Sequence, residues 1–332
     1  MAAINSIIRH GAGALLCLLL VTGPSVADPS SWSQQGWSTD FSKHSVDYNE
    51  ILSGGPPKDG IPSIDNPEFV AVAEMTDLAE LEPVIGLEIA GDARAYPLQI
   101  LMWHEIVNDT VGGMPVTVTY CPLCNAALVF DRRVEGKADT FGTTGKLRNS
   151  DLVMYDRRTE SWWQQFTGEA IAGEKTGTKL ALVPSRLESW KNFKNRHPNG
   201  KVLIPNNPRM RNYGANPYQG YDTLNRPFLF SGELPKDIHP MARVVVVRDK
   251  VEPIVVSMLK VREEGPLKRQ GLTISWEIGQ SSALDSGRIA AGRDVGNIIV
   301  QRGGEDVPYD VTFAFVANAF LPGTQIEKAA GE

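Results

Sequence analysis

Short apolar runs alternate with polar turn residues along most of the chain. From residue 64 onward, runs rich in β-branched and aromatic residues are separated by Gly, Pro, Asn and Asp, a pattern typical of strands and turns. The clearest predicted strands cover residues 84–89, 127–133, 151–156, 254–261 and 311–315. The chain is therefore expected to be dominated by strands.

Helical patterns are few and short. Pro97 can open a helix over residues 98–102, because the first helical position does not need its N–H. A second helix is predicted over residues 185–195 from the three-residue spacing of Leu187, Trp190 and Phe193. Without long helices between strands, a doubly wound parallel sheet is disfavoured. The predicted class is mainly β (β-rich α+β), with antiparallel sandwich or barrel-like layers and a few short helices.

The N-terminus has the pattern of a secretory signal. Arg9 is the only charged residue before an apolar run over 11–21, and Ser25-Val26-Ala27 is a small-x-small cleavage pattern. Residues 1–27 are therefore predicted to be a signal peptide. The apolar run is too short for a spanning helix, which needs about 20 residues, and no later stretch approaches that length. We expect an exported protein, periplasmic or extracellular, with no membrane span after cleavage.

Three segments are predicted in the chain. The signal peptide is followed by an extended, turn-rich lead-in over residues 28–63 and by a single β-rich domain over residues 64–325. Residues 206–240, dense in Asn, Pro, Gly and Tyr, are a candidate sub-boundary within that domain.

Charge and motifs exclude several classes of function. The 332 residues carry 33 Lys and Arg against 39 Asp and Glu, and no block of like charge suggests a nucleic-acid partner. No nucleotide, flavin or haem motif is present; Asn125 stands where a c-type haem motif would place its histidine. The expected ligand is an unknown small molecule or a metal.

The cysteine count isolates one motif. Of three cysteines, Cys17 lies in the predicted signal peptide, which leaves Cys121 and Cys124 in a Cys-Pro-Leu-Cys sequence. A hairpin that turns at Gly112-Gly113 would pair residues whose numbers add up to 225. This register places His104 opposite Cys121. Two thiolates and one imidazole suit Cu or Zn and leave a coordination position open. Metal carriage, sensing and metal-assisted chemistry all remain open as roles.

Two other functional classes compete with the metal site. Cys121 and Cys124 resemble the active loop of thioredoxin-like redox proteins, although the surrounding βαβ context is missing. Alternatively, the pair is structural, as a local disulfide or as buried thiols in a tight turn. The protein would then be a glycan- or peptide-binding module that uses a surface around Trp162 and Trp163.

Several motifs in order resemble the domain-of-unknown-function 3179 family. They are residues 50–62, Ala95-Tyr96-Pro97, 104–109, 118–125, Phe141-Gly142 with Gly145, and 154–157 with Thr159, Ser161, Trp163 and Gln165. This family is typically exported and has no assigned reaction. The resemblance implies that the segments containing His104, Cys121 and Cys124 form one recurring site, but it does not imply a particular chemistry. Further candidates to line a site are Arg133 and, within these segments, Glu105, Asn108, Asp109, Asn125, Tyr155, Asp156, Arg157, Trp163 and Gln165.

Overall fold

The computed structural model describes residues 29–248 and 252–332. The predicted signal peptide lies outside the described residues. In these two stretches no helix combines the length and the apolar character that a membrane crossing requires.

Strands form most of the regular structure. In chain order they are β1 (Ile51–Ser53), β2 (Glu68–Ala71), β3 (Pro83–Ile89), β4 (Asp92–Pro97), β5 (Ile106–Val111), β6 (Met114–Cys121), β7 (Ala126–Asp131), β8 (Arg133–Val134), β9 (Lys137–Ala138), β10 (Phe141–Arg148), β11 (Asp151–Asp156), β12 (Trp162–Gln164), β13 (Glu169–Ala172), β14 (Ala181–Leu182), β15 (Arg186–Ser189), β16 (Lys201–Ile204), β17 (Arg243–Val247), β18 (Ile254–Ser257), β19 (Leu267–Arg269), β20 (Leu272–Glu277), β21 (Asn297–Arg302), β22 (Glu305–Asp306), β23 (Asp310–Phe313) and β24 (Ile326–Glu327). The helices are α1 (Pro29–Gln34), α2 (Leu98–His104), α3 (Trp190–Arg196), α4 (Met258–Glu264) and α5 (Ala314–Phe320).

The strands form five small sheets in a propeller-like arrangement. Their strand orders are β1-β10-β11-β12-β13, β14-β7-β6-β5, β15-β3-β4-β16-β2, β23-β17-β18-β24 and β19-β20-β21-β22, and β8 and β9 form a separate small ribbon. Pairing is antiparallel except between β4 and β16 and between β18 and β24. The predicted strand-rich, antiparallel class with few short helices is confirmed.

A strand leads directly into a seven-residue helix at four places in the described chain: β4 to α2, β15 to α3, β18 to α4 and β23 to α5. The helix predicted over 185–195 was therefore wrong in its first half. Leu187 pairs with Ile85 in a sheet, and Ser189 then caps α3 by accepting a hydrogen bond from the Asn192 N–H. The strands predicted over 254–261 and 311–315 end early for the same reason.

The hairpin of β5 and β6 has the predicted register. Gly112 and Gly113 both have positive φ, as a type I′ turn requires, and Ile106 pairs with Thr119. Pairing starts at Ile106, however, because His104 is still the last residue of α2. The predicted pairing of His104 with Cys121 is therefore wrong, and Cys121 pairs with Ala126 of β7 instead.

The core has one large cluster and two smaller ones. The described part of the lead-in, residues 29–63, is packed on the domain: β1 pairs with β10, and Trp32 and Trp37 bury their rings against Trp162. Between β16 and β17 the chain forms a long loop with a single short 3-10 turn at Tyr221–Thr223. This loop covers the region of the candidate site.

Candidate functional site

The two cysteines flank a tight turn between β6 and β7. Cys121 is the last residue of β6, and the N–H of Cys124 donates to its carbonyl oxygen at 3.2 Å. Asn125 completes the turn with a φ of 53°, a left-handed conformation that asparagine tolerates better than most residues. Both cysteines are free thiols and both are buried.

Strand β23 holds this turn in place. The Asn125 side-chain amide donates to the carbonyl oxygen of Val311 at 2.8 Å, and the Thr312 hydroxyl donates to that of Cys124 at 2.7 Å. These contacts join residues almost 190 positions apart. Because both bonds are buried, the positions of the two sulfur atoms are determined by tertiary packing.

Asp151, the first residue of β11, completes a compact group with the two cysteines. One carboxylate oxygen of Asp151 and the sulfurs of Cys121 and Cys124 all lie within 4.8 Å of one another, and all three residues are buried. The Oδ2 atom of Asp151 accepts hydrogen bonds from Gln164 at 2.6 Å and from the Phe166 N–H at 2.8 Å. Its Oδ1 atom has no hydrogen-bond partner of regular geometry, and the neighbouring Cys124 thiol is the remaining group that interacts with this carboxyl. We call Cys121, Cys124 and Asp151 the thiol site.

Burial controls the protonation of the thiol site. It raises the pKa of Asp151 to about 6, although the hydrogen bonds from Phe166, Gln164 and the Cys124 thiol and the charge of Arg248 oppose the rise. Burial also raises the pKa of Cys121 and of Cys124. Both sulfurs are therefore protonated at neutral pH unless a cation stabilises the thiolates.

A cavity of about 380 Å³ adjoins the thiol site. Apart from Cys121 and Glu105 its walls are mainly apolar and aromatic, including Leu147, Leu152 and Tyr218. We call it the main cavity. Its volume is within the range of small-molecule sites, about 300–1,000 Å³. Cys121 faces it, whereas Cys124 lies behind the wall.

Glu105 places a buried carboxyl group in the wall of the main cavity. It follows α2 with a φ of 57°, and its own N–H still donates to the carbonyl of Leu101 at 2.7 Å. Burial and the charge of Asp151, with no hydrogen bond in the described part of the chain, determine the state of its carboxyl group, and only 8% of the residue is exposed. Burial, followed by the charge of Asp151, raises the pKa of Glu105 to about 8. The carboxyl group is therefore mostly neutral at pH 7.

His104 does not belong to the close group of the thiol site. Its Nδ1 atom lies 2.7 Å from the carbonyl oxygen of Pro62, which can only accept, so Nδ1 carries the proton. Its Nε2 atom then accepts from the Tyr213 hydroxyl at 2.8 Å. Burial lowers the pKa of His104, so the ring is neutral, with both nitrogens engaged in hydrogen bonds.

Two other residues of the same motif hold the fold together. The Asn108 amide donates to Asp65 at 2.7 Å and to the carbonyl of Phe141 at 2.8 Å, and it accepts from the Phe141 N–H at 3.0 Å. Both carboxylate oxygens of Asp109 accept from Arg94 at 2.8 Å. Their side chains are thus occupied by structural contacts.

The remaining sequence-predicted residues also have partners outside the thiol site. These pairs are Arg133 with Asp131, Tyr155 with Asp59, Asp156 with Thr159 and Trp163, Arg157 with Asp65, and Gln165 with Thr119. Trp162 and Trp163 are both fully buried, on opposite faces of β12, so they present no surface for stacking a sugar or a peptide.

Sequence reasoning missed Asp151 and the loop residues Tyr218, Phe228 and Leu229. Asp151 is the first residue of a predicted strand. An acidic residue is common at such a boundary and does not by itself indicate a site. The three loop residues lie in or near a segment rich in turn formers, whose apolar members have no periodic pattern. Only their place in the wall of the main cavity distinguishes them.

Comparison with known proteins agrees with the motifs. No curated protein and no solved structure matches the chain. Residues 58–324 match the family described as protein of unknown function (DUF3179). This stretch covers most of the chain and includes the thiol site and every wall residue of the main cavity except Gly54 and Pro56. The chain therefore belongs to the DUF3179 family.

Proposed function

We propose that this protein binds a soft metal ion, Cu(I) or Zn(II), through Cys121, Cys124 and Asp151. The observation that carries the proposal is the mutual distance of at most 4.8 Å between three buried ligand atoms, two of them from free thiols. Thiolate sulfur suits both metals, and a carboxylate oxygen is a common third ligand of zinc.

The charge state of the site favours a cation. Without one, burial keeps the two sulfurs protonated, and beyond the Cys124 thiol the Oδ1 atom of Asp151 has no partner. A bound cation would stabilise the thiolates and give that oxygen a partner, because metal binding and ligand deprotonation are linked.

The number of ligands favours an open site. Structural zinc sites almost always have four protein ligands, whereas catalytic and transfer sites keep a position for water or substrate. Cys121 borders the main cavity, so a small molecule there would approach the metal from that side. Metal carriage and metal-assisted chemistry are both compatible with this arrangement.

The test is a metal titration of protein stripped with a chelator, with a chromophoric competitor for Zn²⁺ and another for Cu(I). Wild type should bind one ion per chain. We expect Cys121→Ser, Cys124→Ser and Asp151→Asn each to weaken binding by about 100-fold or more, since removing a ligand should cost at least as much as removing a residue that orients one. Circular dichroism of each variant verifies that it is folded.

His104→Asn is the matched control. It alters a buried polar residue of the same motif, but His104 is outside the thiol site, so the affinity should change by less than about threefold. If His104→Asn abolished binding and Asp151→Asn did not, the ligand set would be two cysteines and His104. Absence of binding by wild type would refute the metal proposal altogether.

A second candidate is a thiol–disulfide couple of Cys121 and Cys124. The proximity of two free sulfurs in a Cys-x-x-Cys turn favours it. The raised pKa of both thiols disfavours it, because the thiolate is the attacking species. Equilibration in glutathione buffers, followed by alkylation and mass measurement, tests it: a redox protein must form an intramolecular disulfide within the range of periplasmic potentials.

We also propose that the protein acts after export. The predicted signal peptide over residues 1–27 supports this location. Expression in a bacterium with intact secretion should yield a mature chain that starts at Asp28, detectable by intact mass. A full-length chain retained in the cytoplasm would contradict export.

A further inference from the structure

The main cavity has one side chain that its present surroundings do not explain. Glu105 is more than nine-tenths buried, lines the cavity and makes no side-chain hydrogen bond with the described residues. A carboxyl group this deeply buried normally has a partner or a function, and the part of Glu105 that stays accessible opens onto the cavity. Here the only open direction is the cavity itself.

No basic side chain of the cavity wall is placed to neutralise the Glu105 carboxyl group. Lys146 is the one basic residue in the wall, and its side chain turns away from the cavity. It pairs with Val153, which packs with Trp32 on the other face of β10 and β11, and its Nζ lies 3.3 Å from Gln35. The next residue, Leu147, pairs with Leu152 on the cavity face. Alternate residues of a strand point to opposite faces, which explains this division.

Other groups of the cavity also favour a positive charge. The carboxyl of Asp151 lies behind Cys121, close enough for its charge to affect the pKa of Glu105. The aromatic rings of Tyr218 and Phe228 form part of the wall, and ring faces attract ammonium groups.

The mouth of the cavity is apolar. Phe228 is 50% exposed and Leu229 is 42% exposed, and both also contribute to the wall. Exposed apolar side chains at the rim of a concave site are typical of ligand-binding surfaces. The inner wall contains Leu123, Leu147 and Leu152, so an apolar body would be covered along its length.

From these contacts we infer that the main cavity binds a small organic cation, an ammonium group on an apolar body. The ammonium stabilises the ionised form of Glu105 and donates to its carboxylate beside the rings of Tyr218 and Phe228. The apolar body extends past Leu147 toward Leu229 at the mouth. The site does not require a metal at the cysteines.

The test is calorimetric titration of chelator-treated protein at pH 9, above the pKa of about 8 that burial gives Glu105, with three ligands of equal chain length: hexylamine, hexanol and hexanoate. Hexylamine is protonated and should bind about tenfold or more tightly than hexanol, the range expected for a hydrogen bond to a charged group. Hexanoate should bind most weakly. Equal affinities for hexylamine and hexanol, or a preference for hexanoate, would overturn the inference. Because the protein carries no metal, the result is independent of the metal titration.

Variants locate the site. Glu105→Gln should reduce the hexylamine affinity about tenfold and leave that of hexanol unchanged, while Glu80→Gln, at an exposed carboxylate paired with Lys194, should affect neither. Phe228→Ala changes a half-exposed residue, so the fold should tolerate it, and it should weaken hexylamine and hexanol together. Hexylamine binding that is unaffected by Phe228→Ala, or by Glu105→Gln in folded protein, would show that the ligand lies elsewhere.

Discussion

Glu105→Gln should make the stability of the protein less dependent on pH. Burial raises the pKa of Glu105 from 4.5 to about 8, so over this interval the folded protein keeps a proton that the unfolded chain has released. Stability therefore falls as pH rises between these two values and is constant with respect to this group above and below them. The amide of the variant does not titrate and removes this contribution.

The size of the effect depends on the pH interval between the pKa of Glu105 in the unfolded chain and its pKa in the folded protein. Each pH unit within it changes the free energy of unfolding by about 1.4 kcal/mol. Between pH 5.5 and 7.5 the wild type should lose about 3 kcal/mol through Glu105, a large fraction of the roughly 5–15 kcal/mol that stabilises a typical domain. Asp151 and Asp310 also have raised pKa values, about 6 and about 7, and lower the stability in the same direction. The contribution of Asp310 is common to both proteins and cancels in the difference, whereas the charge of Asp151 is already included in the raised pKa of Glu105.

The assay is urea unfolding of metal-free wild type and Glu105→Gln at pH 5.5, 6.5 and 7.5. The free-energy difference between the two proteins should shift by about 3 kcal/mol in favour of the variant across this range. The backbone strain of the positive φ at residue 105 is the same in both proteins and does not affect the slope. A difference that stays constant with pH would mean that Glu105 is ionised in the folded protein, and the argument from burial would fail.

Two further substitutions test the architecture around the site. Gly145→Ala should cost more than about 3 kcal/mol of unfolding free energy, because its Cβ would lie 1.9 Å from the Pro56 carbonyl oxygen. Gly136→Ala is the control: this residue also has a positive φ, but open space surrounds it, so the cost should be about 1–2 kcal/mol. Equal losses in urea unfolding would contradict the close approach of the lead-in to β10. Asn108→Ala should cost about 2–4 kcal/mol, since it leaves the buried N–H and carbonyl of Phe141 without partners; a loss below about 1 kcal/mol would show that this network is not stabilising.

Features set by neighbouring residues were predictable from the sequence. The alternation of apolar and polar positions indicated a strand-rich antiparallel protein, and two adjacent glycines defined the turn and the register of the β5–β6 hairpin. The Cys-x-x-Cys turn and the family motifs were equally visible, because their signals lie within a few residues of one another.

Boundaries between strand and helix were harder to predict. Leu187, Trp190 and Phe193 have a helical spacing, yet Leu187 belongs to a strand because β3 offers it a partner about 100 residues earlier in the chain. Similarly, His104 ends α2 rather than extending β5, although the register of the hairpin is correct. In both cases long-range packing determines where one element ends and the next begins.

The sequence by itself determined the class of fold, the hairpin register and the two cysteines, because alternation, turn chemistry and residue identity act over short distances along the chain. Only the tertiary structure decided which residues accompany those cysteines. It brings Asp151 to the sulfurs from another sheet, engages both nitrogens of His104 with Pro62 and Tyr213, and buries Glu105 without a partner in the wall of a cavity. The composition and the charge of a site depend on packing between distant segments, which no local pattern encodes.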